Sequence, residues 1–113
     1  MGTITGYHAH EYFERDTADK ARALQEKLRD RFGGAVAFGR WNDRAVGPHK
    51  GWSYEVAFAG ADFGSIVPWL LVNREGLVVF VHPMTGDDML DHTAHAMWLG
   101  QSVDLELEIF SGS

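Results

Sequence analysis

The order of strands and helices along the chain is the feature that most restricts how it can fold. Aromatic, β-branched and alternating patterns predict four strands, over residues 4–13, 35–41, 52–59 and 77–82. Helical spacing of apolar residues predicts two helices, over residues 16–32 and 62–74, each followed closely by glycine. The resulting β-α-β-β-α-β order is that of the ferredoxin-like split β-α-β sandwich, an α+β fold with an antiparallel-type sheet and helices on one face.

The remainder of the chain is predicted to add a C-terminal helix over residues 87–99 and a strand over residues 103–110. No repeat, low-complexity tract or linker interrupts the sequence, so residues 1–113 are interpreted as a single domain. Right-handed crossovers predict that the first and third strands lie side by side and parallel at the centre of the sheet. The fourth strand is then expected to flank the first strand in the antiparallel direction.

The charge and residue content exclude several classes of protein. A net charge of −6 argues against a nucleic-acid binder, which needs a basic surface for the phosphate backbone. The absence of cysteine excludes disulfides, thiolate metal sites and a cysteine nucleophile, and it agrees with a cytoplasmic location. The longest apolar run, residues 66–72, is too short to span a bilayer, and no leader peptide follows Met1, so no membrane partner is expected.

Histidine is the residue type that points to chemistry, because the chain has six of them. Strand alternation puts His8 and His10 on one face of the first strand. His49 precedes the third strand and His82 ends the fourth, so the predicted topology brings all four to one rim of the sheet. Converging imidazoles suit a borderline divalent metal such as Fe(II), Zn(II), Mn(II) or Cu(II). The alternative interpretation is that each histidine is an ordinary hydrogen-bonded residue.

The sequence identifies no carboxylate ligand for such a metal. Glu11 and Glu55 have the opposite parity to His8 and Trp52 in their strands, so neither is expected to join the histidines. Further along the chain, residues 91 and 92 are an adjacent Asp-His pair on the predicted C-terminal helix. This pair is interpreted either as an acid–base group or as part of a solvated helix face.

Six short motifs occur in order along the chain. They are YHAHEYF at residues 7–13, GPH at 47–49, YEVAF at 54–58, VHPMTGDD at 81–88, DHT at 91–93 and WLG at 98–100. Together they resemble the DOPA 4,5-dioxygenase family, in its fungal and bacterial type, over almost the whole chain. The resemblance implies that O2 opens the ring of a small catechol, such as 3,4-dihydroxyphenylalanine, in an extradiol-type reaction at a non-haem metal.

For the metal, the resemblance implies Fe(II), with Zn(II) or another divalent ion as the alternative in a purified sample. A site with few protein ligands leaves room for both catechol oxygens and for O2. The expected ligands are His10, His49 and His82. His8 and His92 are the expected acid–base groups, which would take a catechol proton and later return one. In this interpretation His8 and His10 could exchange roles.

Two other functions fit the same pattern. One is a non-catalytic ferredoxin-like domain that binds a small ligand, and the other is a different metal-assisted enzyme, such as a hydrolase with catalytic zinc. A homodimer is also expected, because two helices cover only one face of a four-stranded sheet and an apolar second face favours an interface. The alternative to the dimer is that residues 87–110 fold back over the open face of their own chain.

Overall fold

A five-stranded antiparallel sheet forms the centre of the protein in the computed structural model, which describes residues 3–110. Residues 1, 2 and 111–113, including the Met1 start at which no leader was expected, lie outside the described part. The strands are β1 (Tyr7–Phe13), β2 (Val36–Asn42), β3 (Trp52–Phe58), β4 (Val79–Pro83) and β5 (Met97–Leu99). Their order in the sheet is β2-β3-β1-β4-β5, and the predicted α+β class is confirmed.

Two long helices lie against one face of this sheet. α1 (Ala18–Phe32) connects β1 to β2, and α2 (Phe63–Asn73) connects β3 to β4. The buried stripe of α1 consists of Ala21, Leu24 and Leu28. α1 ends at Gly33, whose φ of +52° is favourable for a residue without Cβ. Within residues 3–110, no helix is long and apolar enough to cross a membrane.

The helices and the sheet share one apolar core. Every second residue of β1, β3 and β4 faces the helices, as the alternation of side chains along a strand requires. The strand residues in this core include Ala9, Phe13, Val56, Phe58, Val79 and Val81, and α2 adds Ile66, Val67 and Leu70. Because α1 and α2 both use this face, the intervening residues of the same strands lie on a second face that neither helix covers.

The predicted parallel pairing of the first and third strands is wrong. β1 and β3 are adjacent at the centre of the sheet, as expected, but they run antiparallel, with Tyr7 opposite Phe58 and Phe13 opposite Trp52. The reason is geometric. β1 and β2 run in the same direction with a gap of one strand between them, and β3 fills that gap after reversing direction from β2. The predicted antiparallel pairing of β4 with β1 is present.

The C-terminal helix and strand are present, but at positions other than those predicted. The helix predicted over residues 87–99 contracts to α3 (Asp88–Asp91), and its last three residues instead form β5. β5 pairs with the otherwise open edge of β4, whose backbone groups need partners. Residues 103–110 alternate like a strand, but only Leu105 forms a bridge, to His49, before a short 3₁₀ helix at Leu107–Phe110.

The C-terminal residues cross part of the second sheet face. The backbone amide of Glu106 donates to the carbonyl of Pro48, and Lys50 lies 3.4 Å from the Glu106 carboxylate. The C-terminal residues therefore cover part of the second sheet face within the same chain, which is the alternative to a dimer given above.

A homodimer nevertheless remains a prediction. α2 keeps apolar side chains in solvent on its outer side, with Val72 78% exposed, and such surfaces favour association. We expect sedimentation equilibrium at micromolar concentration to give twice the monomer mass, and a single monomeric species would contradict the dimer.

Glu11 is a carboxylic acid enclosed in the core. It lies on the helix-facing side of β1, directly across from Tyr54, and is 0% exposed. Neither carboxyl oxygen has a hydrogen-bond partner of normal geometry within residues 3–110. Burial raises the pKa of Glu11 to about 8, although the nearby Tyr54 phenol acts in the opposite direction. The side chain is therefore protonated at neutral pH.

This raised pKa makes the fold less stable as the pH rises. Below the unfolded pKa of about 4.5 both states carry the proton, but between that pH and about 8 only the folded state does. Stability is then lost, at a limit of about 1.4 kcal/mol per pH unit. We expect Glu11→Gln to reduce the loss of urea stability between pH 5 and pH 8. Glu26→Gln, at an exposed position, is the control and should lose as much urea stability between pH 5 and pH 8 as the wild type. If Glu11→Gln also lost as much as the wild type, Glu11 would not be the source of the pH dependence.

Candidate metal and active site

Five histidines meet on the sheet face that α1 and α2 leave free. β1 contributes His8 and His10, which alternate with core residues as the sequence predicts. The β1–β4 register places His82 directly opposite His8 and Phe80 opposite His10. His10 and His82 are buried, and His8 is partly exposed.

His49 reaches this cluster from the loop between β2 and β3, and not from a rim of the sheet as predicted. Because β3 is antiparallel to β1, the start of β3 lies beside Phe13, at the end of β1 far from His8. The loop turns back at Gly47, whose φ is +59°, and Val46 and His49 exchange backbone hydrogen bonds across the turn. The convergence predicted for His49 is therefore found, but a folded loop produces it.

Inside the cluster, His49 lies over β1. Its ring centre is 4.2 Å from that of His10, and its Nδ1 is hydrogen-bonded to the Tyr12 hydroxyl. Tyr12 also stacks against Trp98, with ring centres 6.0 Å apart. The Tyr12 contact therefore fixes the orientation of the His49 ring.

His92 joins the cluster from the end of α3, whereas His95 does not. The His92 ring centre lies 4.3 Å from that of His82, and His92 Nδ1 is 2.7 Å from the carbonyl oxygen of Asp88. His95 Nδ1 instead lies 3.0 Å from the buried carboxylate of Asp91, and its side chain lines a second, largely apolar cavity that shares His82 with the histidine cavity. The predicted Asp-His pair is thus divided, because adjacent residues at the end of α3 face different sites.

Three of the histidines could hold one metal ion. His8, His10 and His82 each offer a ring nitrogen, and these nitrogens lie within 4.8 Å of one another. The two Nε2 atoms of His10 and His82 are 3.0 Å apart. His10 and His82 belong to the predicted ligand set, and the third member of that set, His49, contacts His10 from the side.

Hydrogen bonds to the outer ring nitrogens determine which nitrogens are free. His82 Nδ1 lies 2.9 Å from the Pro83 carbonyl oxygen and therefore carries the proton, so its Nε2 is left with a lone pair. The same reasoning applies to His92 through Asp88. His8 Nδ1 lies 3.1 Å from Glu55 Oε1, which again leaves Nε2 free to bind. Metal-binding histidines characteristically use such acceptors to fix their tautomer.

The environment keeps the central imidazoles neutral. Burial, followed by repulsion from neighbouring histidines, lowers the pKa of His10 well below its usual value. Burial also lowers the pKa of His49 to about 4, with a further contribution from His92. For His82, burial lowers the pKa to about 4, although its hydrogen bond to the Pro83 carbonyl acts in the opposite direction. Neutral imidazole is the form that binds metal ions and accepts protons.

Glu55 is the site residue that the parity argument excluded wrongly. It pairs with His10 across β1 and β3 and points to the histidine face, opposite to Tyr54. Its parity does differ from that of Trp52, but the Trp52 side of β3 is the helix side. The Trp52 side of β3 carries only large apolar and aromatic residues, as a helix-facing side should. This pattern could have predicted that Glu55, on the other side, lies with the histidines. Glu11 was excluded correctly, because it lies in the core.

The cluster forms the floor of a cavity of about 480 Å³. β2 and the following loop border it with Arg40 and Arg44, and the C-terminal segment borders it with Phe110. The ring of Phe110 lies 4.5 Å from that of His92. The cavity therefore has the size of a small-molecule site with a polar floor and a partly aromatic wall.

The chain resembles known proteins along nearly its whole length. The sequence pattern of the Dopa 4,5-dioxygenase family matches residues 7–109. A DOPA 4,5-dioxygenase of Amanita muscaria is 35% identical over 111 residues, which is 92% of this chain and 49% of that protein. An uncharacterized 21.2 kDa protein of Botryotinia fuckeliana is 34% identical over 103 residues, or 84% of this chain and 56% of that one. The chain thus spans about half the length of these relatives.

A solved structure supports the same relationship. A candidate dioxygenase from Nostoc punctiforme, whose crystal structure has been solved, shares 46% sequence identity with this chain. The two structures match with a TM-score of 0.89, and the match covers 93% of this chain and 90% of that one. The family match, the sequence identity and the fold agree. The chain belongs to the Dopa 4,5-dioxygenase family.

Proposed function

We propose that this protein is a metal-dependent dioxygenase that opens the ring of a small catechol, of which 3,4-dihydroxyphenylalanine is one example, by an extradiol-type reaction with O2. The observation that carries the proposal is the group of three nitrogens from His8, His10 and His82, which lie within 4.8 Å of one another. Family membership supports dioxygenase chemistry, and the histidines supply the donors that such chemistry needs.

The donor set fits a divalent metal, and Fe(II) is the ion we propose. His8 and His82 have the Nδ1 proton fixed by an oxygen acceptor and the Nε2 lone pair free. Three imidazole nitrogen ligands leave positions open for substrate, which suits iron in oxygenases and also permits Zn(II) or another divalent ion. When bound, the ion would supply the Lewis acidity and the electron exchange that O2 chemistry on a catechol requires.

The other polar groups of the cluster handle protons in this proposal. His92 has its Nδ1 proton fixed by the Asp88 carbonyl, so its Nε2 can accept a proton from a catechol hydroxyl. His49 is held by the Tyr12 hydroxyl, its ring centre lies 6.4 Å from that of His92, and it can retain or return a proton. The site therefore contains one group that could take the first catechol proton and a second group that could return a proton to an oxygen atom of the product.

The overall reaction balances without another reactant. One ring C–C bond beside the two hydroxyl-bearing carbons breaks, and both atoms of O2 enter the product as parts of a carboxylic acid and an aldehyde. The ring is oxidised and O2 is reduced. Phe110, beside His92, offers an aromatic surface against which the substrate ring can pack.

The cellular location is part of the same proposal. We expect the reaction to take place in the cytoplasm, because a reducing compartment keeps iron as Fe(II) and the chain has no cysteine to form disulfides. The partners are a catechol and O2.

Metal binding tests the ligand assignment. The sequence prediction takes His49 as the third ligand, whereas the distances favour His8. We expect His82→Ala and His8→Ala to lose tightly bound Fe(II) or Zn(II) in equilibrium dialysis, by more than roughly 100-fold in affinity. His49→Ala and His92→Ala should retain the ion. Retention by His8→Ala together with loss by His49→Ala would instead support the ligand set predicted from the sequence.

Oxygen consumption tests the activity. Protein loaded anaerobically with Fe(II) is expected to consume one O2 per catechol in an oxygen electrode, with a ring-opened product detectable by its absorbance. His82→Ala should abolish this uptake, and His92→Ala should bind the metal but turn over more than roughly 100-fold more slowly, because it loses an acid–base group. His95→Ala, outside the cluster, is the matched control and should remain active. No uptake with any catechol despite bound iron would favour a non-catalytic ligand-binding domain.

A further inference from the structure

Two arginines border the histidine cavity. Arg40 is on β2 and Arg44 is in the following loop, and both are exposed. Within residues 3–110, neither guanidinium makes a hydrogen bond, an ion pair or a contact with an aromatic ring. By contrast, Arg22 and Arg29 of α1 stack on Trp41 and Phe38, on the helix side of the same strand.

A β-bulge directs Arg40 to the cavity. Phe38 pairs with Val56 and Trp41 pairs with Tyr54, so two residues of β2 lie opposite the single residue Glu55. In a regular strand, residues 38 and 41 would point to opposite faces, yet both rings contact Tyr54 on the helix side. The extra residue therefore places Arg40 on the histidine side, where it lines the cavity. Bulges commonly re-aim a side chain beside an active site.

Glycine at position 39 is part of this arrangement. A Cβ added there would lie 3.2 Å from both Cβ and Oε2 of Glu55. The absence of a side chain at Gly39 thus leaves space for the Glu55 carboxylate, which in turn contacts His8. Since Glu55 is engaged by His8, it does not neutralise Arg40 by a direct ion pair.

The charges of the cavity are separated between its two sides. The strand order places β2 on one side of the histidines, and β4 with α3 on the other. Arg40 and Arg44 stand on the first side, and the remaining acidic residue of the lining, Asp88, stands on the second. An anionic group on a ligand would therefore be attracted to the β2 side. A planar guanidinium matches a carboxylate particularly well, because it can form two parallel hydrogen bonds.

We propose that Arg40 and Arg44 are specificity-determining residues that bind the carboxylate of an aromatic acid while its ring lies over the histidine cluster. The inference rests on the proposed function for one point only, which is that the ring of the ligand is a catechol. The substrate class it names is catechols with an acidic side chain, which are preferred to neutral catechols and to cationic catechol amines.

Binding without turnover provides the test. Anaerobic titration of the protein, followed by tryptophan fluorescence, compares three probes: dihydroxyphenylpropanoate, methylcatechol and dopamine. We expect the wild type to bind the acid most tightly. Arg40→Gln and Arg44→Gln should each weaken acid binding by roughly tenfold, as expected for loss of a charge-assisted hydrogen bond. Both should change methylcatechol binding by less than about twofold. Arg40→Lys should give an intermediate loss, because lysine keeps the charge but not the two parallel bonds.

The control and the contrary results separate this inference from the proposed function. Lys27→Gln removes an equal charge from the exposed side of α1 and should change none of the affinities. Equal affinity of the wild type for the acid and methylcatechol would overturn the role of the arginines, even if both are oxidised. The same conclusion follows if the arginine variants reduce the affinity for the acid and the affinity for methylcatechol by the same factor. If selective acid binding is observed but no catechol consumes O2, the arginine assignment stands and the dioxygenase proposal fails.

Discussion

The pairing of β1 with both of its neighbours is the interaction on which the rest of the structure depends. Its register with β4 sets His8 opposite His82, and its register with β3 sets His10 opposite Glu55. A shift of one residue in either ladder would turn these side chains into the core and bring core residues to the open face. The buried residues on the helix side, such as Ala9 and Val56, therefore also stabilise the position of every group in the site.

The cluster combines features that oppose each other energetically. Burial of several imidazoles beside one another is tolerable only while they stay uncharged, which is why the pKa values of His10, His49 and His82 are lowered. The backbone carbonyls at Pro83 and Asp88 then satisfy the outer ring nitrogens without adding charge. The result is a set of lone pairs held in place before any ligand arrives, and such preorganisation is what a binding or catalytic site requires.

Local patterns in the sequence predicted the parts of this protein that depend on neighbouring residues. Alternation placed His8 and His10 on one face, and helical spacing identified the buried stripe of α1 that includes Leu24 and Leu28. What could not be predicted depends on contacts distant in the chain. The turn that carries His49 to the sheet is held by residues near the C-terminus, and β5 forms because the edge of β4 lacks a partner. Glu55 was missed because parity alone does not say which face of a strand meets the helices.

The bridge between His49 and Leu105 has a consequence for how the site comes into being. One wall of the cavity is built from the last described residues of the chain, and its floor begins with β1, near the other end. Contacts between such distant segments require long loops to close before the contacts form, and folds rich in such contacts fold more slowly than folds with local ones. During synthesis, the histidines of β1 therefore lack His82 until β4 has left the ribosome, and the cavity lacks the wall formed by Phe110 until still later.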